Sequence, residues 1–174
     1  MLFMEKIIVK EIKEFDLDLI LKIKHLEIEN LGKEASINEW VIPVIIKYGK
    51  IIAALQKESS TSAFVNEFRD NEIIGINEMI RKWDDCSCVF IHSFYIRTMN
   101  RNSGIGSRLL EESLKILRQS GTSKVELTVD PNNFAAVHLY EKFGFKVTEQ
   151  IKDLYGKGID RNIMAKNLTG GKNF

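Results

Sequence analysis

The sequence predicts an α/β fold in a single domain spanning residues 1–174, with a mixed, mostly antiparallel sheet of six or seven strands flanked by about four helices. Three observations lead there. Between residues 62 and 98 three extended runs follow one another across polar turn pairs, the pattern of an antiparallel meander. From Cys86 to Asp130 a strand, an amphipathic helix and another strand alternate, a crossover that sets two strands parallel. Apolar residues at three-and-four spacing mark helices in the stretches around them.

Residues 5–12 form the first expected strand, β-branched and bounded by charge. From Asp16 the spacing becomes helical, with Leu17, Ile20, Leu21, Lys24 and Ile28 on one face and Asn30 and Gly32 as the stop. Residues 38–58 keep helical spacing at Val41, Ile45, Tyr48, Ile52 and Leu55, with Pro43 in the tolerated first turn. Gly49 weakens the centre of that helix, and a strand at Lys50–Leu55 is the alternative. The meander then runs through Ser62–Phe68, Glu72–Trp83 and Cys86–Thr98, with turns at Asp70-Asn71 and Asp84-Asp85. Ile105, Leu109, Leu110, Leu114 and Leu117 line a helix that Gly121 ends. Lys124–Asp130 is a strand, Pro131-Asn132-Asn133 opens a helix and Gly144 closes it. Two last strands, near Phe145–Leu154 and Asp160–Leu168, flank Tyr155-Gly156-Lys157-Gly158.

Composition narrows the function. The 174 residues carry a formal charge of +1 with no basic block, which gives no support to a nucleic-acid partner. No run approaches the roughly 20 apolar residues of a membrane span. The opening Met-Leu-Phe-Met-Glu-Lys lacks the apolar core of a secretion signal, and two cysteines are too few for a disulfide framework. The expected compartment is the cytoplasm. Cys86-Ser87-Cys88, with His92 four residues on, lacks the second ligand pair of a zinc site, so no metal is expected.

The most informative stretch is Arg101-Asn102-Ser103-Gly104-Ile105-Gly106, between an apolar strand and a helix. A tight turn there leaves backbone N–H groups unpaired and aimed outward, and the helix dipole adds positive potential, so the junction suits a pyrophosphate. A P-loop is excluded because Gly106 is followed by Ser107-Arg108 rather than Lys-Ser/Thr. A dinucleotide fingerprint fails because Leu109 stands where its third glycine belongs.

A second motif, Asn133-Phe134-Ala135-Ala136-Val137-His138-Leu139-Tyr140-Glu141-Lys142-Phe143-Gly144-Phe145, follows the next strand. Taken together the two motifs resemble the GCN5-related N-acetyltransferase (GNAT) family, closely over about residues 86–150 and more loosely at the first strand, first helix and last strand. The resemblance implies the GNAT acyl-CoA N-acyltransferase fold and transfer of an acetyl group from acetyl-CoA to an amine. It implies that backbone groups of Phe94, Tyr95 and Ile96 pair with the pantetheine arm. It further implies that the amides of Asn102, Ser103, Gly104, Ile105, Gly106 and Ser107 hold the pyrophosphate, with Arg101 opening the loop, that Asn133 bonds the pantetheine from the far side, and that Tyr140 points its hydroxyl at the CoA sulfur. Two positions depart from the family: Asn102 replaces the usual glycine and Ser103 a frequent basic residue. Asn tolerates positive φ, so the turn is expected to survive.

The reaction needs a neutral amine, a donor to the oxyanion and a donor near the departing thiolate. The backbone N–H of Ile96 is the candidate for the oxyanion and Tyr140 for the thiolate. For the base there are two side chains. His92 lies nine residues before Arg101, a spacing similar to that of a proton-accepting histidine in the arylalkylamine branch of the family. Glu78, on the neighbouring strand, is the rival. A two-residue turn at Asp84-Asp85 pairs His92 with Asn77 and puts Glu78 on the opposite face, a one-residue slip reverses this, and a water chain replaces either. Where ribosomal-protein alanine acetyltransferases carry a glutamate base, this chain has Thr128, which counts against that protein N-terminus reading. Tyr155, in the last hairpin, is the candidate acceptor contact. The expected acceptor is a small primary amine, amino acid derivative or polyamine. Alternatives are a protein lysine or N-terminus, a longer acyl donor, and a non-catalytic acyl-CoA sensor. Homodimerisation is common in the family.

Overall fold

Asp16 sits just outside the first helix in an extended conformation, and its Oδ1 accepts the Leu19 N–H at 2.9 Å. That cap satisfies one of the donors a helix start leaves bare. It begins a chain of elements in the computed structural model, which describes residues 7–33, 36–57, 68 and 71–168 of the 174. In order these are β1 (Ile7–Ile12), α1 (Leu17–Leu31), α2 (Val41–Tyr48), β2 (Lys50–Gln56), β3 (Glu72–Arg81), β4 (Cys88–Ile96), α3 (Ile105–Gln119), β5 (Lys124–Val129), α4 (Phe134–Lys142), β6 (Lys146–Ile151) and β7 (Arg161–Asn167). The strands form one seven-stranded mixed sheet of order β1-β2-β3-β4-β5-β7-β6. β4 and β5 run parallel, joined by the crossover through α3, whereas β1–β2, β2–β3, β5–β7 and β6–β7 pair antiparallel.

The chain divides into two compact units, one within Met1–Met79 and Ser93–Glu112 and the other within Ile80–His92 and Ser113–Phe174. In the first, α1 and α2 pack on one face of β2 and β3 through Ile23, Leu26, Ile42, Ile45, Ile51 and Ile76. Burying isoleucines of this kind stabilises by roughly 1.5–3 kcal/mol each. In the second, β5 alternates Val125, Leu127 and Val129 inward, and Met164 of β7 is fully buried.

Several expectations change. The buried stripe of α1 is Leu19, Ile20, Ile23, Leu26 and Glu27, while Leu17 and Leu21 are 65% and 47% exposed. The expected face was therefore out of phase, because apolar residues stand on both sides of this helix. The helix expected over 38–58 ends at Tyr48, and residues 50–56 are the strand alternative. Gly49 explains the break: its N–H bonds to Ile45 O at 2.8 Å, and a Cβ there would collide with the Met79 carbonyl oxygen. The expected strand Ser62–Phe68 lies, apart from Phe68, outside the described residues, and the strand beside β3 is β2. The connection from β3 to β4 spans residues 82–87 rather than a two-residue turn.

Gly75 leaves no room for a side chain between β3 and β4. An added Cβ would strike the end of the Ile96 side chain and lie 3.1 Å from the Tyr95 carbonyl oxygen. Gly75→Ala is expected to lower stability by about 1–3 kcal/mol through overpacking, measured as a shift of the urea midpoint at constant slope.

Candidate active site

The loop after β4 is held from its own strand. A short 3-10 turn, Thr98–Asn100, follows Ile96, and Arg101 turns back so that its Nε donates to the Ile96 carbonyl at 3.0 Å. The Arg97 N–H bonds to Ile74 O at 2.9 Å, fixing the end of β4 against β3. Asn102 and Gly104 then take φ of 59° and 84°. Among the described residues the N–H groups of Asn102 to Ser107 find no backbone acceptor, and the first helical bond is Arg108 N to Gly104 O at 3.1 Å. Asn102, Ser103 and Gly104 are exposed, and Gly106 and Ser107 are half-buried, whereas Ile105 anchors the turn in the core. Exposed amides at the positive end of a fifteen-residue helix form an anion cradle. Asn102 thus takes the left-handed step without being glycine, as the sequence leads one to expect.

Phe94, Tyr95 and Ile96 form the last turn of pleat in β4. The parallel ladder to β5 covers only Cys88–Ile91 against Lys124–Leu127, so residues 92–96 run on beyond it. Asn133 caps α4, its Oδ1 accepting the Ala136 N–H at 3.2 Å. Tyr140, inside α4, is 6% exposed and meets Phe145 edge-on with ring centroids 5.6 Å apart. Its burial pushes the phenol well above the usual tyrosine range. Tyr155 is exposed in the β6–β7 hairpin. Its hydroxyl lies 3.2 Å from the Thr128 hydroxyl, and the Arg161 guanidinium sits over its ring at 5.4 Å.

The structure separates the two base candidates. Glu78 interacts with Ser93 of β4, and side chains alternate along a strand, so His92 points to the other face. The His92 side chain is exposed, yet enclosed enough at its base that lost hydration lowers its pKa below the usual imidazole range. Glu78 is fully buried, with its pKa raised first by burial and then by the charge of Glu27. Glu27 of α1, also fully buried and raised by burial, was not singled out in the sequence. One signal was present: it stands four residues after Ile23, on the apolar stripe.

Among the described residues no cluster of histidine, cysteine or carboxylate side chains could hold a metal ion, and no helix is long and apolar enough to cross a membrane. Cys86 is exposed and Cys88 buried, both unbonded to each other.

The Acetyltransferase (GNAT) family matches residues 27–145. An N-alpha-acetyltransferase of Saccharolobus solfataricus is 25% identical over 174 residues, covering 91% of this chain and 99% of that protein. In fold, the chain is similar to a chain of the NatC complex bound to Gag peptide and CoA, with TM-score 0.73, 18% identity and coverage of 94% and 99%. It is also similar to aminoglycoside 6'-acetyltransferase type Ii, with TM-score 0.71, 17% identity and coverage of 95% of this chain and 99% of that one.

A side chain at Gly104 would have to adopt the left-handed conformation at a cost of about 1–2 kcal/mol. Gly104→Ala is therefore expected to weaken coenzyme A binding by about ten-fold in calorimetry while leaving the circular dichroism spectrum unchanged.

Proposed function

The chain belongs to the Acetyltransferase (GNAT) family and is an N-acetyltransferase, and from that premise we propose that it acetylates the α-amino group of a polypeptide N-terminus, with acetyl-CoA as donor, by direct attack in a ternary complex. The observation that carries this reading is the likeness to an N-alpha-acetyltransferase over nearly the whole of both chains. It moves the acceptor from the small amine expected from the sequence to a peptide. The chemistry fits that choice. An α-amine has a pKa of about 7.7–8.0 against about 10.4 for lysine, so a weak base suffices to free it.

In this reading the amides of Asn102 to Ser107 take the pyrophosphate and the backbone of Phe94 to Ile96 takes the pantetheine arm. The Asn133 amide contributes a further bond, and the Ile96 N–H stabilises the oxyanion. His92 accepts the amine proton. Its lowered pKa keeps the imidazole neutral at physiological pH, the form a base requires. Glu78 is a poor base by comparison, because burial holds its proton in place. Tyr140 donates a hydrogen bond to the sulfur as the thiolate leaves. With its pKa raised, the phenol stays protonated and acts by donation, solvent supplying the final proton. Acceptor selection falls to two segments: the entry to α2 at residues 36–40, and Tyr155, which Thr128 and Arg161 hold in place.

The direct test supplies acetyl-CoA with short peptides of varied first residue, N-terminally blocked lysine peptides, and free amines including polyamines. Acetylation of peptide α-amines, located by mass spectrometry, supports the proposal. Transfer confined to lysine side chains or small amines overturns the acceptor, and CoA binding without transfer to any amine favours a sensor. Tyr140→Phe is expected to lower kcat about ten- to a hundred-fold with little change in the KM for acetyl-CoA, and wild-type turnover would end its role. For His92→Ala, the acidic limb of kcat/KM, which in the wild type lies below the usual imidazole pKa, is expected to vanish. An unmoved limb would reject the histidine.

A further inference from the structure

Under α1 lies a group of buried polar side chains that the acetyl-transfer steps leave unused. Glu27 comes from α1, Glu78 from β3, and Ser93 and Tyr95 from β4, and all four are buried. Glu27 Oε1 and both Glu78 oxygens are buried with no hydrogen-bond partner among the described residues, and the two carboxyl groups lie in each other's field beside Ser93. The Tyr95 hydroxyl, without a hydrogen-bond partner among the described residues, lies in the field of both. The groups that act on the pair are these and the Ile37 N–H, with no lysine or arginine among them.

Two carboxylates side by side in a dry core repel each other, and without a cation the pair lowers its energy by keeping one proton. Hydrogen bonding decides where it resides. Glu27 Oε2 accepts the Ile37 N–H at 3.0 Å, which favours the ionised form. Neither oxygen of Glu78 has a hydrogen-bond partner among the described residues, so Glu78 is the weaker acid and keeps the proton.

Ile37 begins the entry to α2, and two further contacts fix that entry. Lys24 of α1 pairs with Glu39, and Asn38 Oδ1 accepts the N–H groups of Trp40 at 3.1 Å and Val41 at 3.2 Å. Through Ile37, then, the ionic state of the buried pair is connected to the backbone ahead of α2.

We propose that Glu78 is a resident carboxylic acid whose O–H is directed at the Glu27 carboxylate, and that the pair acts as positioning residues for the entry to α2 and so for acceptor binding. The proposal rests on the acceptor role given above to residues 36–40. While the single proton stays, Glu27 is held between Glu78 and Ile37. When it leaves at alkaline pH, the two anions separate and the Ile37 tether loosens.

Two measurements test this. Infrared spectroscopy of the resting protein at neutral pH is expected to show a protonated carboxyl C=O band that E78Q removes and E27Q keeps. That band is read without turnover, so its result is independent of whether the acetyl-transfer reading holds. In steady-state kinetics, E78A is expected to raise the acceptor KM about ten-fold with kcat and the KM for acetyl-CoA little changed, and E78Q, which keeps a donor toward Glu27, to recover most of that loss. The wild-type acceptor KM divided by that of E78Q is expected to rise several-fold, roughly three or more, between neutrality and about pH 9.5. Absence of the band overturns the shared proton. Equal behaviour of E78Q and E78A, a flat ratio, or a loss confined to kcat overturns the positioning role.

Discussion

Backbone amides that cannot be paired inside the fold are the constraint on which the site depends. A helix start always leaves such donors, and most proteins cover them with a side-chain cap, as Asp16 does for α1 and Asn133 for α4. At α3 the chain instead passes through left-handed turns at Asn102 and Gly104, which leave the amides facing outward. Ile105, buried at once below them, and Arg101, tied to the Ile96 carbonyl, keep the turn rigid. For the proposed pyrophosphate such donors are already in position, so little entropy would be lost in arranging them.

The rest of the chemistry sorts by burial. Tyr140 is enclosed and keeps its proton, His92 is accessible and stays neutral, and Glu78 is enclosed beside another acid. Each state follows from lost hydration acting on groups of different intrinsic acidity, since burial disfavours whichever form carries charge. That principle leaves the phenol protonated and the imidazole neutral, the two forms that the proposed donor and base require.

Much of the fold was legible in the chain itself, and the exceptions have physical causes. The Arg101–Gly106 and Asn133–Phe145 segments were readable because turn chemistry and capping are local, and local rules survive in any tertiary setting. α1 was harder. With Leu17, Leu19, Ile20, Leu21, Ile23, Leu26 and Ile28 in a single helix, periodicity admits more than one phase, and only packing against β2 and β3 chooses. The end of α2 was equally hidden, because what removes room for a side chain at Gly49 is the Met79 carbonyl, thirty residues away in sequence. The relation of Glu78 to His92 depended on strand register, which a six-residue connection alters and a sequence does not display. The role of Glu27 is hidden for a related reason: the groups around it, Ile37, Glu78 and Ser93, belong to three other segments.

Asn133 illustrates how economy of side chains shapes such a site. Its Oδ1 is engaged by the first turn of α4, so its rotamer is set as the helix forms. The opposite edge of the same amide plane is thereby oriented as well. Its Nδ2 therefore points in a direction settled during folding, before any partner arrives.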